Sequence, residues 1–149
     1  MADLRHLCAG LGFKGVRTHI ASGNVLFESE LDEAGVKARL EGALAAYAGK
    51  PVGVMVRTGP ELAQILAANP FPHAAPNRTV VIFLDAPPGS EVLLEISGQG
   101  SEEVTLGCRE IYVHYPDGQA DTKLKIPAAR SGTARNLITV AKLTEMARD

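Results

Sequence analysis

Between Thr122 and Lys142 the chain carries five basic residues, Lys123, Lys125, Arg130, Arg135 and Lys142, and no aspartate or glutamate. The whole protein has a net charge of -2, so this stretch is a basic island in an otherwise acidic chain. It ends in "SGTARNLITVAK", Ser131 to Lys142, which reads as the start of a helix. The helix dipole favours acids in a first turn, and here there is none. Ser131 or Thr133 is suited to the N-cap, with Gly132 leaving backbone amides accessible. At 100° per residue, Ala134, Leu137, Ile138 and Ala141 fall in one inward arc. Arg135, Thr139 and Lys142 fall within about 60° of each other on another face, with Asn136 on its edge. Free amide groups beside cations suit an anion, and the loop carrying Lys123 and Lys125 is expected to approach the same spot. A solvated basic face and ordinary capping account for the same residues without any ligand.

Ser22-Gly23-Asn24 is the second candidate. Small and Asx residues between β-formers mark a tight turn, and the exposed amides of such a turn, with the Ser22 hydroxyl, could contact a ligand. No base is in place for Ser22: His19 lies three residues away, which on a strand puts it on the opposite face. The four histidines, His6, His19, His73 and His114, have no metal-ligand spacing, so no metal site is expected. There is no dinucleotide or Walker fingerprint. No catalytic residue or cofactor is nominated.

The bulk numbers set the limits. A chain of 149 residues, 46% hydrophobic and 21% charged, is long enough for one or two small domains with a buried core. Two cysteines a hundred residues apart, Cys8 and Cys108, make neither a CxxC pair nor a disulfide framework, which points to the cytoplasm. Cys8 belongs to an apolar helix face and reads as core. No apolar run approaches a membrane span, and no signal peptide is visible.

The elements that would position these groups follow from periodicity. Leu4, Leu7, Cys8 and Leu11 form one helical stripe, closed by Gly12. Val16 to Ala21 and Val25 to Glu28 read as strands joined at Ser22-Gly23-Asn24. Asp32 caps a second helix carrying Val36, Leu40, Ala43, Leu44 and Tyr47, which stops at Gly49 and Pro51. "VGVMVRT", residues 52–58, reads as a third strand. Thr58 and Glu61 have capping-box spacing ahead of a helix with Leu62, Ile65 and Leu66. The proline-rich "NPFPHAAPNR" marks a boundary between halves 1–69 and 70–149, with a single compact unit as the alternative. In the second half "TVVIFLD" is an apolar, central strand, followed by a short helix near Glu91 to Ile96. "VTLGCREIYVHYPDG" is a hairpin turning near Gly107 to Glu110. It places Ile111, Val113 and Tyr115 on one face and Tyr112 and His114 on the other. A loop over 117–132 leads to the closing helix. The order α-β-β-α-β, then β-α-β-β-α, gives an α+β class of two ferredoxin-like (βαββαβ-type) halves with antiparallel or mixed sheets. The first half lacks its first strand.

Four separated stretches also carry a resemblance: "MADLRHLCAGLGFKGVRTHIASGNVLFES", "NPF" at Asn69 to Phe71, "EIYVHYPDG" with the following "TKL", and "GTARNLITVAKL". In this order the chain resembles the DUF1697 family over nearly its whole length. The resemblance implies paired ferredoxin-like α+β units. It implies no catalytic residue, substrate or cofactor, because the family is named for its unknown function. It also implies a strand and a glycine-rich turn ahead of the residue that is Met1 here. Leu137 stands where the family commonly has tryptophan, which puts an aromatic stacking role there in doubt.

Two expectations of function follow. One is a domain binding a small anionic or phosphorylated ligand through Ser22, Gly23, Asn24, Lys123, Thr133, Arg135, Asn136, Thr139 and Lys142. The other is an assembly module, a homo-oligomer joined through exposed strand edges, without catalysis. An enzyme of unknown reaction would need Ser22, Asn24, Lys123 and Arg135 in one cleft. Nucleic acid is disfavoured by the negative total and by an aromatic content of 5%, and no membrane partner is expected.

Overall fold

The computed structural model describes residues 2–19, 24–120 and 122–147. It is an α+β protein of two units. One runs to Thr58 and takes in the residues from Met146 onward; the other runs from Gly59 to Glu145.

In the first unit α1 (Ala2–Gly10) leads into β1 (Lys14–His19), which pairs antiparallel with β2 (Asn24–Glu28). The turn between them lies outside the described residues. Helix α2 (Glu33–Ala48) begins where Asp32 accepts a hydrogen bond from the Gly35 amide at 2.8 Å. It ends at Gly49, whose φ of 74° is the left-handed conformation that glycine adopts without a Cβ penalty. Cys8, Phe13, Val36 and Leu40 form the core of this unit. Leu7 and Leu11 of the predicted stripe pack against it. Phe13 and Phe27 stack with centroids 4.2 Å apart. Burial pushes the Cys8 thiol up in pKa, so it stays protonated as a small core hydrophobe.

The expected third strand over 52–58 does not form. Val54 and Val56 still pack against the core, as alternate residues of a strand would. What is missing is a ladder partner: among the described strands β2 pairs with β1 alone, in a two-stranded sheet. Alternation specifies which side chains face inward, but a strand also needs a neighbour to take its backbone groups.

The second unit contains α3 (Gly59–Ala67), β3 (Thr79–Phe83), α4 (Glu91–Leu94), β4 (Glu103–Leu106), β5 (Glu110–His114), β6 (Thr133–Asn136) and α5 (Leu137–Ala147). Its sheet has the order β4-β5-β3-β6, with every neighbouring pair antiparallel. β3 is central and buried along its whole length, as its unbroken apolar run requires. β3 and β4, joined through α4, leave a one-strand gap that β5 fills, a split βαβ arrangement. On one face Val80, Ile82, Ile111 and Val113 build the core with Leu84 and Val92, and Tyr115 packs against it. Tyr112 and His114 take the other face, as alternation predicts.

The largest departure concerns the closing segment. Thr133 to Asn136 form strand β6, not a helical turn, and the helix begins at Leu137. A buried central strand needs a partner on each side, and β6 supplies the second one for β3, pairing Val80 with Asn136 and Phe83 with Thr133. The buried residues of α5 are Leu137, Thr139, Val140 and Thr144; Ile138, expected inside, is 52% exposed. The buried face runs through Val140 and the two threonines, so two polar side chains take inward places that the apolar pattern assigns to Ile138 and Ala141.

Candidate functional site

Two places hold the groups singled out by sequence: the junction of β6 with α5, and the strand edges of the first unit.

At the junction, Asn136 is the helix cap. Its Oδ1 accepts from the Thr139 amide at 2.9 Å, satisfying one of the free donors of the first turn. Neither Ser131 nor Thr133 has that role. The Ser131 hydroxyl donates to the Ala128 carbonyl at 3.2 Å, in the 3-10 turn that precedes β6. Arg135 lies on the strand and donates to the Ala134 carbonyl at 2.8 Å. Thr139 is buried. Lys142 is exposed and lies 3.8 Å from Glu145, one turn on. Lys123 is exposed, and its segment is tied to a different place: Lys125 pairs by backbone with Ser97, and the Lys123 carbonyl packs against Gly98. The structure thus brings Asn136 and Thr139 together as a cap, and puts Arg135 on a different element from Lys142.

Of the turn candidate, Ser22 and Gly23 lie outside the described residues. Asn24 opens β2, opposite His19, and is buried. It belongs to the first unit, whereas Lys123, Thr133, Arg135, Asn136, Thr139 and Lys142 belong to the second.

The face of β5 that alternation assigns to Tyr112 and His114 also carries Glu110. Glu110 and Tyr112 are buried on the same face of the sheet, and His114 follows them. The Tyr112 hydroxyl donates to the Ile65 carbonyl at 2.8 Å. Burial, with the nearby Glu110 charge, pushes its pKa up to about 12, so the phenol is protonated at any ordinary pH. Glu110 Oε1 accepts from the Arg109 amide. Arg109 forms an ion pair with Glu61 of α3 at 2.9 Å, and His114 lies 3.6 Å from Glu103 and against the Phe71 ring. The signal was the alternation of polar residues within a strand whose other face is apolar. These contacts tie helix α3 and the loop after it to the sheet, which is structural work. Among the described residues there is no buried side-chain polar atom without a partner and no group of three or more metal-ligating side chains. No described helix is long and apolar enough to cross a membrane.

The strand edges are the more informative feature. β2 and segment 52–58 both send alternate residues, Val25 with Phe27 and Val54 with Val56, onto one core, yet they share no ladder. In an α+β unit of this kind, two such segments joined by a helix are normally separated by one further strand.

The fold is that of a two-unit α+β protein with antiparallel sheets, of two described strands in the first unit and four in the second. The chain belongs to the family described as "Protein of unknown function (DUF1697)", whose model matches residues 1–112. It is also similar in fold to a solved structure, the conserved bacterial protein SP0830 from Streptococcus pneumoniae. The TM-score is 0.80 at 23% identity, over 99% of this chain and 88% of that one. No curated protein matches.

Proposed function

We propose that this chain is an assembly module, whose first unit pairs through a strand edge with a second copy of itself. The supporting observation is the edge of β2: among the described residues β2 pairs with β1 alone, while Val25 and Phe27 share a core with Val54 and Val56. A strand edge without a ladder partner, such as that of β2 over residues 25–27, is a template for pairing with another chain. A two-fold pairing of identical edges would satisfy both copies at once. Sedimentation equilibrium over a range of concentrations tests this. A monomer–dimer equilibrium is expected, with amide exchange in 25–27 slowing as dimer forms. A monomer at every concentration overturns the reading, and a dimer without slowed exchange places the contact elsewhere.

A second reading, a small anionic or phosphorylated ligand held at the β6–α5 junction, rests on the acid-free window that contains Arg135 and Lys142, with exposed Lys123, Lys125 and Arg130. The cap bond of Asn136 removes one of the amide donors such a ligand would use. If the reading is right, inorganic phosphate or a nucleotide raises the melting temperature, and Arg135→Ala with Lys142→Ala removes that rise. No rise with any anion rejects it.

A further inference from the structure

Residues 122–125 lie along residues 97–102, and one carboxylate ties the two segments together. Glu102 Oε1 accepts from the Gly100 amide at 2.7 Å, and its Oε2 accepts from the Thr122 hydroxyl at 2.7 Å. The Thr122 oxygen accepts in turn from the Leu124 amide at 3.2 Å. Further on, Ser97 and Lys125 exchange both backbone bonds, at 2.8 and 3.1 Å, and the Lys123 carbonyl packs against Gly98. Leu124 packs against the core, while Lys123 and Lys125 are exposed. The titratable groups around Glu102 are Tyr115, just past β5, and Asp117, which accepts from the Ser101 hydroxyl at 2.9 Å. Glu103, the next residue, lies against His114 instead. Burial, with the Glu102 charge, raises the pKa of Tyr115, so the phenol stays neutral. Hydrogen bonds hold Glu102 in its charged form: the Thr122 hydroxyl first, and the Gly100 amide second, keep it below the usual carboxylate range.

We propose that Glu102 is an acid-released clasp: ionised, it holds residues 122–125 against residues 97–102, and protonated, it lets go of the strip that carries Lys123 and Lys125. A carboxylate accepts at both oxygens, whereas a carboxyl group carries a hydrogen on one of them and donates there. The Gly100 amide and the Thr122 hydroxyl are both donors to Glu102, so the arriving proton displaces one of the two bonds. Once the Thr122 hydroxyl turns away, the Leu124 amide loses its fixed acceptor as well. The lowered pKa sets the sign. The hold of the clasp is complete above the unfolded carboxylate value, and is lost as pH falls through the lower folded value. The ladders of β3 with β5 and β6 contain no part of the clasp and stay paired.

The test compares the whole chain with E102Q and T122V, and with E95Q as a control that removes a charge at an exposed position. At neutral pH trypsin should cut after Lys123 and Lys125 at least about threefold faster in E102Q and T122V than in wild type or E95Q, the scale of one lost hydrogen bond. Amide resonances of the wild type, followed as pH is lowered, give a second readout. Gly100 should titrate with a midpoint below the ordinary carboxylate range, and Leu124 and Lys125 should shift with it while the amides of β3 and β5 hold. In E102Q that titration should be absent. A wild-type cutting rate in both variants, or Leu124 and Lys125 unmoved as Gly100 titrates, overturns the clasp. If E102Q loses the β3 and β5 ladders, T122V and the wild-type titration decide by the same criteria.

Discussion

Ile111→Ala is expected to lower the stability of the second unit by about 4 kcal/mol, near the upper part of the range for emptying a buried aliphatic site. Ile111 is fully buried on β5, opposite Ile82 of β3 on one side and Leu106 of β4 on the other. Its side chain is packed among Val80, Ile82, Leu84, Val92 and Val113. β5 and the neighbouring β3 are each held by ladders on both sides, so the walls cannot readily close over the space. Chemical unfolding followed by circular dichroism should show the loss, with amide exchange in β3 and β5 assigning it to this unit. Ile138→Ala removes the same atoms from a side chain that is 52% exposed and should cost under about 1 kcal/mol. Equal losses at the two sites would show that the core is not centred on β5.

Gly132→Ala is the second large effect, from overpacking. A Cβ at Gly132 would lie 2.7 Å from the Phe83 carbonyl oxygen, 2.9 Å from a Leu84 methyl and 3.0 Å from an Ile82 methyl. The closest of these is backbone of the central strand, which is paired on both sides and cannot give. β6 must therefore move outward, straining its pairing with β3. A cost of about 3 kcal/mol is expected, at the top of the usual range for overpacked sites. Amide exchange in residues 133–136 should accelerate more than elsewhere. Gly42→Ala is the contrast: on α2 a Cβ meets nothing within 4 Å, and the change should stabilise by about 0.5–1 kcal/mol. If Gly132→Ala is neutral, the close approach of residue 132 to β3 is wrong.

These two sites also show how differently the sequence speaks about packing and about position. Ile111 was legible as core, because it alternates with Val113 and Tyr115 in a strand. Gly132 was read as a residue that leaves helix amides accessible, when its role is to let the chain come close to β3. A glycine in sequence says only that a side chain is not wanted; the neighbour that forbids it, Phe83, is 49 residues away along the chain. The same gap explains the closing helix. "GTARN" contains nothing that rejects either a capped turn or a short edge strand, and its fate follows from the need of β3 for a second partner. The candidate anion groups were grouped by a helical wheel that started one element too early, which joined Arg135 to Lys142 by a periodicity that does not connect them.

The sequence by itself determined the element types wherever a segment's own periodicity and caps were sufficient: α2 between Asp32 and Gly49, the apolar β3, the hairpin of β4 and β5, and the core role of Cys8. It also carried the family resemblance. Tertiary structure alone decided whether a segment of the right alternation became a strand. Residues 133–136 did, because β3 offers them a ladder, while residues 52–58 did not, because no described strand lies beside them and Lys37 and Glu41 take the Val54 backbone groups instead. The physical reason is that side-chain pattern is a property of one segment, whereas a β-ladder is a property of two.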